Sequence, residues 1–181
     1  MKNIILTLFA VIVLVSCNEG DSTTNPPSNN VSKYESNQPI GLLKGNQAPL
    51  FRTKDLNANI VELKSYRGNV VLLDFWATWC GSCRQSVPEL VKIWEKHRDD
   101  SLEIIGVSFD SQRKVLEDYI KEFNMTWIQT HDTEYLVNQF YDIKAFPHAY
   151  LLNKRGEIAY TGHPLAVDLE KLVDSLLKVE Y

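Results

Sequence analysis

The sequence predicts an α/β domain with a central sheet of parallel and antiparallel strands, on three observations. The run Val70-Val71-Leu72-Leu73-Asp74-Phe75 is almost continuously apolar, as in a strand covered on both faces, and Glu103 to Phe109 reads the same way. Between them Val87, Leu90, Val91 and Trp94 follow helical spacing, which makes a parallel strand–helix–strand crossover. Ala149–Leu152 and Glu157–Tyr160 flank a turn near Asn153–Gly156 and read as an antiparallel hairpin.

Residues 1–16 hold Lys2 and an apolar run from Ile4 to Val15, broken only by Thr7. The run is shorter than the ~20 residues of a membrane-spanning helix and reads as a secretory signal. It ends on Leu14-Val15-Ser16-Cys17, which resembles the lipobox of bacterial lipoproteins. The resemblance implies cleavage before Cys17 and a lipid on that cysteine; the plainer alternative is an ordinary signal peptide that ends near a cysteine. Residues 17–40, rich in Asn, Ser, Thr and Pro, have the composition of a flexible linker. Some 25 such residues span roughly 25–30 Å as a random coil, enough to let a tethered domain reach its neighbours. Residues 41–181 are the right size for one globular domain.

Within that domain, Leu50–Thr53 and Asn59–Leu63 read as a preceding pair of strands. After the crossover, Val115, Leu116, Tyr119, Ile120 and Phe123 mark a second helix and Trp127-Ile128 a short strand. Leu136, Val137 and Phe140 mark a third helix with Asp132 or Thr133 as its cap. Leu169, Leu172, Val173, Leu176 and Leu177 form the stripe of a closing helix. Pro88 falls inside the first helix, where it either bends the helix or starts a new one after a loop.

Cys80 and Cys83 stand where the first strand gives way to the first helix. A helix N-terminus carries unpaired N–H groups and partial positive charge, which stabilise a thiolate, the reactive form of cysteine. The site supplies up to ~2 kcal/mol, enough to bring a thiol from ~8.5 to near 7. A structural zinc needs four ligands, and His97, His131, His148 and His163 show no ligand spacing. Haem attachment needs His after the second cysteine, where Arg84 stands. A structural staple over so short a loop removes little chain entropy. A redox-active disulfide, Cys80–Cys83, is therefore preferred, with no metal and no other cofactor expected. With Cys17 lipidated, these two are the cysteines left to pair, in an exported compartment that permits disulfides. The chain has 19 Lys and Arg against 23 Asp and Glu, net −4, and no basic stripe, so nucleic acid is not an expected partner.

Asp74-Phe75-Trp76-Ala77 before Trp79-Cys80-Gly81-Ser82-Cys83, Pro88 in the helix and Pro147 before a strand resemble thioredoxin. Gly45 to Phe51, Leu63 to Val71 and Leu151 to Gly156 are similar to its exported branch, the TlpA/ResA-like thiol–disulfide oxidoreductases. The resemblance runs from about residue 41 to the end. It implies a three-layer thioredoxin-like fold, a mixed sheet with helices on both faces and an N-terminal strand-pair extension. It implies Cys80 as the attacking thiol, Cys83 as the buried resolving thiol and a cis bond before Pro147, so that Phe146 offers its backbone to an extended substrate. Trp79, Gly81, Ser82, Phe146 and Pro147 form the expected substrate contact. Asp74 takes the place of thioredoxin's buried acid and is expected to accept the proton of Cys83; an acid in so apolar a run is costly without a use. Its plainer role is a strand-end residue bonded to backbone.

The sequence departs from the pattern at Gly81-Ser82, where Gly-Pro is usual, and at Ser86, where the exported branch often has Glu. Phe146 is bulkier than the usual residue there, and His148 is expected at the surface where a strand starts, with a pH-sensitive contact as the alternative. The expected partners are protein thiol and disulfide substrates, a membrane thiol-redox electron donor, and an envelope membrane reached through the lipid on Cys17. The expected activity is reduction of protein disulfides, in cytochrome c maturation or envelope redox homeostasis. A disulfide-forming oxidase and a binding module without turnover are the alternatives. A peroxiredoxin-like peroxidase is a third, but its Pro-x-x-x-Thr-x-x-Cys motif fails at Cys80, where Leu73 and Ala77 stand.

Overall fold

A computed structural model describes residues 31–181. The signal segment, Cys17 and most of the linker lie outside the described residues. A five-stranded sheet, ordered β5-β4-β3-β6-β7, is built from β3 (Val70–Trp76), β4 (Leu102–Ser108), β5 (Ile128–His131), β6 (His148–Leu152) and β7 (Ile158–Gly162). β3, β4 and β5 run parallel, while β6 and β7 join antiparallel, so the sheet is mixed. β1 (Arg52–Lys54) and β2 (Ile60–Glu62) form the separate antiparallel pair expected ahead of it. All seven residues of β3 are buried, as its unbroken apolar character requires.

Alternation along β3 sorts its side chains between two cores. Val70, Leu72 and Trp76 pack with Cys83, Val87, Leu90 and Ile93 of α1 (Gly81–His97), Leu116 of α2 (Arg113–Glu122), and Leu169 and Val173 of α4 (Leu169–Leu177). Val71, Leu73 and Phe75 face Phe51, Val61, Leu63, Val137 and Tyr141, contributed by the β1–β2 region and the short α3 (Asn138–Tyr141). Each fully buried Leu or Ile contributes roughly 1.5–3 kcal/mol relative to exposure. Asp74 has the parity of the first set, so β3 carries it on the α1 face.

One alternative is settled and several local expectations are revised. α1 is one helix through Pro88, which does not begin a new segment. β5 starts at Ile128 rather than Trp127, whose ring packs edge-on against Trp94 instead. The third helix is only a turn long: Leu136 and Phe140 are exposed, and Val137 and Tyr141 are the residues that face inward. Asp132 does serve its start, accepting the N–H groups of Val137 and Asn138 at 3.1 and 3.0 Å, but from six residues upstream of Asn138 rather than as the adjoining cap. Part of the segment read as linker also lies on the domain: Ser36 donates to Glu157 at 2.5 Å, and the Tyr34 ring stands edge-on to Tyr181.

Candidate active site

The site forms where β3 ends. Ala77–Trp79 turn the chain, Cys80 is the N-cap of α1 in extended conformation, and Gly81 opens the helix. Cys80 and Cys83 are disulfide-bonded, with Cα atoms 5.2 Å apart. The sulfur of Cys80 accepts the backbone N–H of Cys83 at 3.1 Å, doing for the helix what a Ser or Asp oxygen does at other caps. A thiolate on Cys80 would therefore have a backbone donor already aimed at it, together with the positive end of the helix. Cys83, a turn further in, is 1% exposed, against 8% for Cys80.

The loop before β6 closes the other side. The Phe146–Pro147 peptide is cis, as the resemblance implies. The carbonyl of Phe146 accepts Ser82 Oγ at 3.4 Å, and that hydroxyl is also 3.5 Å from the sulfur of Cys80. Ser82 thus links the Phe146 backbone to the outer sulfur, which Pro at this position could not do. Trp79 is 66% exposed, and its ring stands edge-on to Phe146 at 5.8 Å. Phe146 leans on Phe109 at 4.8 Å and Phe109 on Tyr135 at 5.6 Å, so a file of aromatic rings runs away from the sulfurs. Ser86, where the branch often has Glu, is buried with its hydroxyl on the Cys83 carbonyl at 2.8 Å.

Asp74 lies in mid-strand, not at a strand end, paired with Gly106 on one side and Ala149 on the other. It is 2% exposed, Oδ1 has no hydrogen-bond partner among the described residues, and burial pushes its carboxyl up to about 7. His148 is half-buried rather than a surface residue: its Nε2 pairs with Thr161 Oγ1 at 2.9 Å, and burial lowers its pKa.

Asp110, Phe109 and Tyr135 join the site although no motif or spacing in the sequence marks them. Asp110 is 2% exposed and its carboxylate accepts the Thr78 backbone N–H at 3.0 Å, the Thr78 hydroxyl and the Ser108 hydroxyl at 2.8 Å. The available signal was position: Phe109 and Asp110 directly follow the carboxyl end of a parallel strand, where α/β sheets place their sites.

A mixed sheet with a disulfide at the N-terminus of the first crossover helix, facing a cis-proline loop, defines a thioredoxin-fold protein of the thiol–disulfide class. The chain belongs to the AhpC/TSA family, which residues 44–161 match. It is 31% identical over 118 residues to a thiol-disulfide oxidoreductase ResA of Oceanobacillus iheyensis, covering 63% of this chain and 62% of that one. It is 31% identical over 150 residues to the thioredoxin-like protein YneN of Bacillus subtilis, covering 80% of this chain and 87% of that one. The thioredoxin domain of a thiol-disulfide oxidoreductase from Bacteroides vulgatus superposes with a TM-score of 0.68 at 32% identity, over 76% of this chain and all of that domain.

Proposed function

We propose that this protein is a thiol–disulfide oxidoreductase that reduces disulfides in exported proteins while tethered to an envelope membrane through a lipid on Cys17. The observation that carries the reading is the Cys80–Cys83 disulfide at the start of α1, with the sulfur of Cys80 in the cap position. Relatives named thiol-disulfide oxidoreductase support the reaction class.

In the reduced enzyme the Cys80 thiolate attacks one sulfur of a substrate disulfide. A Cys80–substrate bond forms, and the other substrate sulfur leaves as a thiolate. Cys83 then loses its proton to Asp74 and attacks the Cys80 sulfur, which releases the second substrate thiolate. The substrate gains two electrons and the enzyme is left as the disulfide seen here. A membrane thiol-redox donor, by a second exchange of the same kind, returns it to the dithiol. Trp79, Gly81, Ser82, Phe146 and Pro147 form the contact for an extended substrate, which pairs with the Phe146 backbone. Proteins kept reduced for haem attachment in cytochrome c maturation are the substrate class we favour, within a wider role in envelope redox homeostasis.

Trapping tests the division of labour. Cys83→Ala should accumulate mixed disulfides with substrate, and Cys80→Ala should not; faster alkylation of Cys83 than Cys80 in the reduced protein would overturn it. The pair's reduction potential decides direction. A value below about −200 mV fits a reductase, and one near about −120 mV fits a disulfide-forming oxidase.

A further inference from the structure

Asp74 on β3 is in register with Gly106 on β4, and Gly106 with Gln129 on β5. Residues in register across parallel strands share a face, so Asp74 and Gln129 point to the same side, separated by a residue with no side chain. Gln129 fills the space that Gly106 leaves: a Cβ at 106 would lie 2.2 Å from its Oε1 and 3.0 Å from its Nε2. The amide therefore lies over Gly106, between its own strand and Asp74. Its orientation is fixed by chemistry. An indole N–H can only donate, and Trp76 Nε1 is 3.2 Å from the Gln129 oxygen, so the atom left over is the NH₂ donor. Among the described residues that donor is buried without an acceptor, and Asp74 Oδ1 is buried without a donor. Gln129 is 5% exposed and Asp74 2%. A native interior rarely leaves such groups unpaired, and here an orphan donor and an orphan acceptor stand in one row of one face.

We propose that Gln129 is a positioning residue for Asp74: its amide, held by Trp76, donates to the Asp74 carboxylate through one bridging water molecule and keeps it in its proton-accepting form. This rests on the reading of Asp74 as the proton acceptor for Cys83. The titratable groups in the apolar cluster on this face are Cys80 and Cys83 at the start of α1, Tyr119 from α2 and Tyr160 from β7; β6 brings Ala149, and α4 brings Leu169 and Val173. Burial, not a neighbouring charge, raises Asp74.

The test uses the reduced full chain, with the Asp74 carboxyl followed by carbon NMR as pH is raised. Gln129→Met keeps the length of the side chain and removes the donor; the Asp74 midpoint should rise by about one pH unit. Trp76→Phe leaves Gln129 in place but frees its oxygen, and should raise the midpoint by less. Where Gln129→Met does not fold, Trp76→Phe decides alone. An unmoved midpoint overturns the proposal. Release of a mixed disulfide gives a second readout. Gln129→Met should slow it in the parent and add nothing in an Asp74→Asn background; equal slowing in both backgrounds would make Gln129 a structural residue and overturn the proposal. If Asp74→Asn alone leaves release unchanged, the proton-acceptor reading fails, while the midpoint still decides whether Gln129 is coupled to Asp74.

Discussion

The carboxylate of Asp110 holds Thr78 twice, accepting its backbone N–H at 3.0 Å and its side-chain hydroxyl. Thr78 lies two residues before Cys80, so a residue beyond β4 fixes the approach to a cysteine beyond β3. Asp110→Ala strands these donors and should cost about 3 kcal/mol of stability. The loosened turn should also lower kcat for disulfide reduction, while Asp110→Asn, which keeps one acceptor oxygen, should restore part of both. Denaturant unfolding and turnover of the two variants check this; wild-type turnover in Asp110→Ala would remove Asp110 from the site.

Asp74 makes stability fall as pH rises. Burial holds its carboxyl at about 7 in the folded protein, above the value of about 4 expected of the unfolded chain. Between these values the folded state keeps a proton that the unfolded state has released. The stabilisation is full below about pH 4 and lost as pH rises through about 7, a change on the order of 4 kcal/mol. Asp74→Asn should flatten that slope and be the more stable form at about pH 8 in chemical denaturation. The same variant should slow release of the mixed disulfide near neutral pH, with recovery at higher pH as Cys83 deprotonates unaided. Glu in place of Ser86 in that background should return part of the rate.

The aromatic file from Trp79 through Phe146 and Phe109 ends on Tyr135, which is 58% exposed. A polypeptide laid along it would bury the Tyr135 ring, whereas a small disulfide would meet only the sulfurs. Tyr135→Ala should raise KM for a protein disulfide about fivefold, the scale of one lost aromatic contact, with kcat unchanged. Paired assays with a folded disulfide protein and a small aromatic disulfide separate the two cases; equal effects on both would sink the platform.

Cys17→Ala should move the protein from the membrane fraction to the soluble one and leave its redox turnover intact. The motivation is the Leu14-Val15-Ser16-Cys17 sequence after a short apolar run. Fractionation and the mass of the mature N-terminus check it, and a variant still bound to membrane would end the lipid assignment.

What could be read from the sequence was what depends on a few neighbouring residues. The β3 run, the helical stripe of α4 and the Asn153–Gly156 turn each carry their own period or turn chemistry, and each lies where expected. Leu136 and Phe140 misled because apolar spacing marks a face without saying that it is buried; both project to solvent. Asp110 and Gln129 were illegible for another reason. Each acts through register and crossover, beside residues 32 and 53 positions away in the chain, and one-dimensional spacing carries no trace of that.

Pro88 leaves α1 with unequal halves. Its missing N–H removes a rung beneath the turn that carries both sulfurs. At the far end, Lys92 and Lys96 pair with Glu170, and Lys96 with Asp174, so ion pairs to α4 join the packing that holds the later turns of the helix. The helix is built as a cantilever, clamped at its root and compliant at its tip. When the sulfur–sulfur bond opens and the two atoms part, the movement should be taken up at the tip rather than in the sheet beneath.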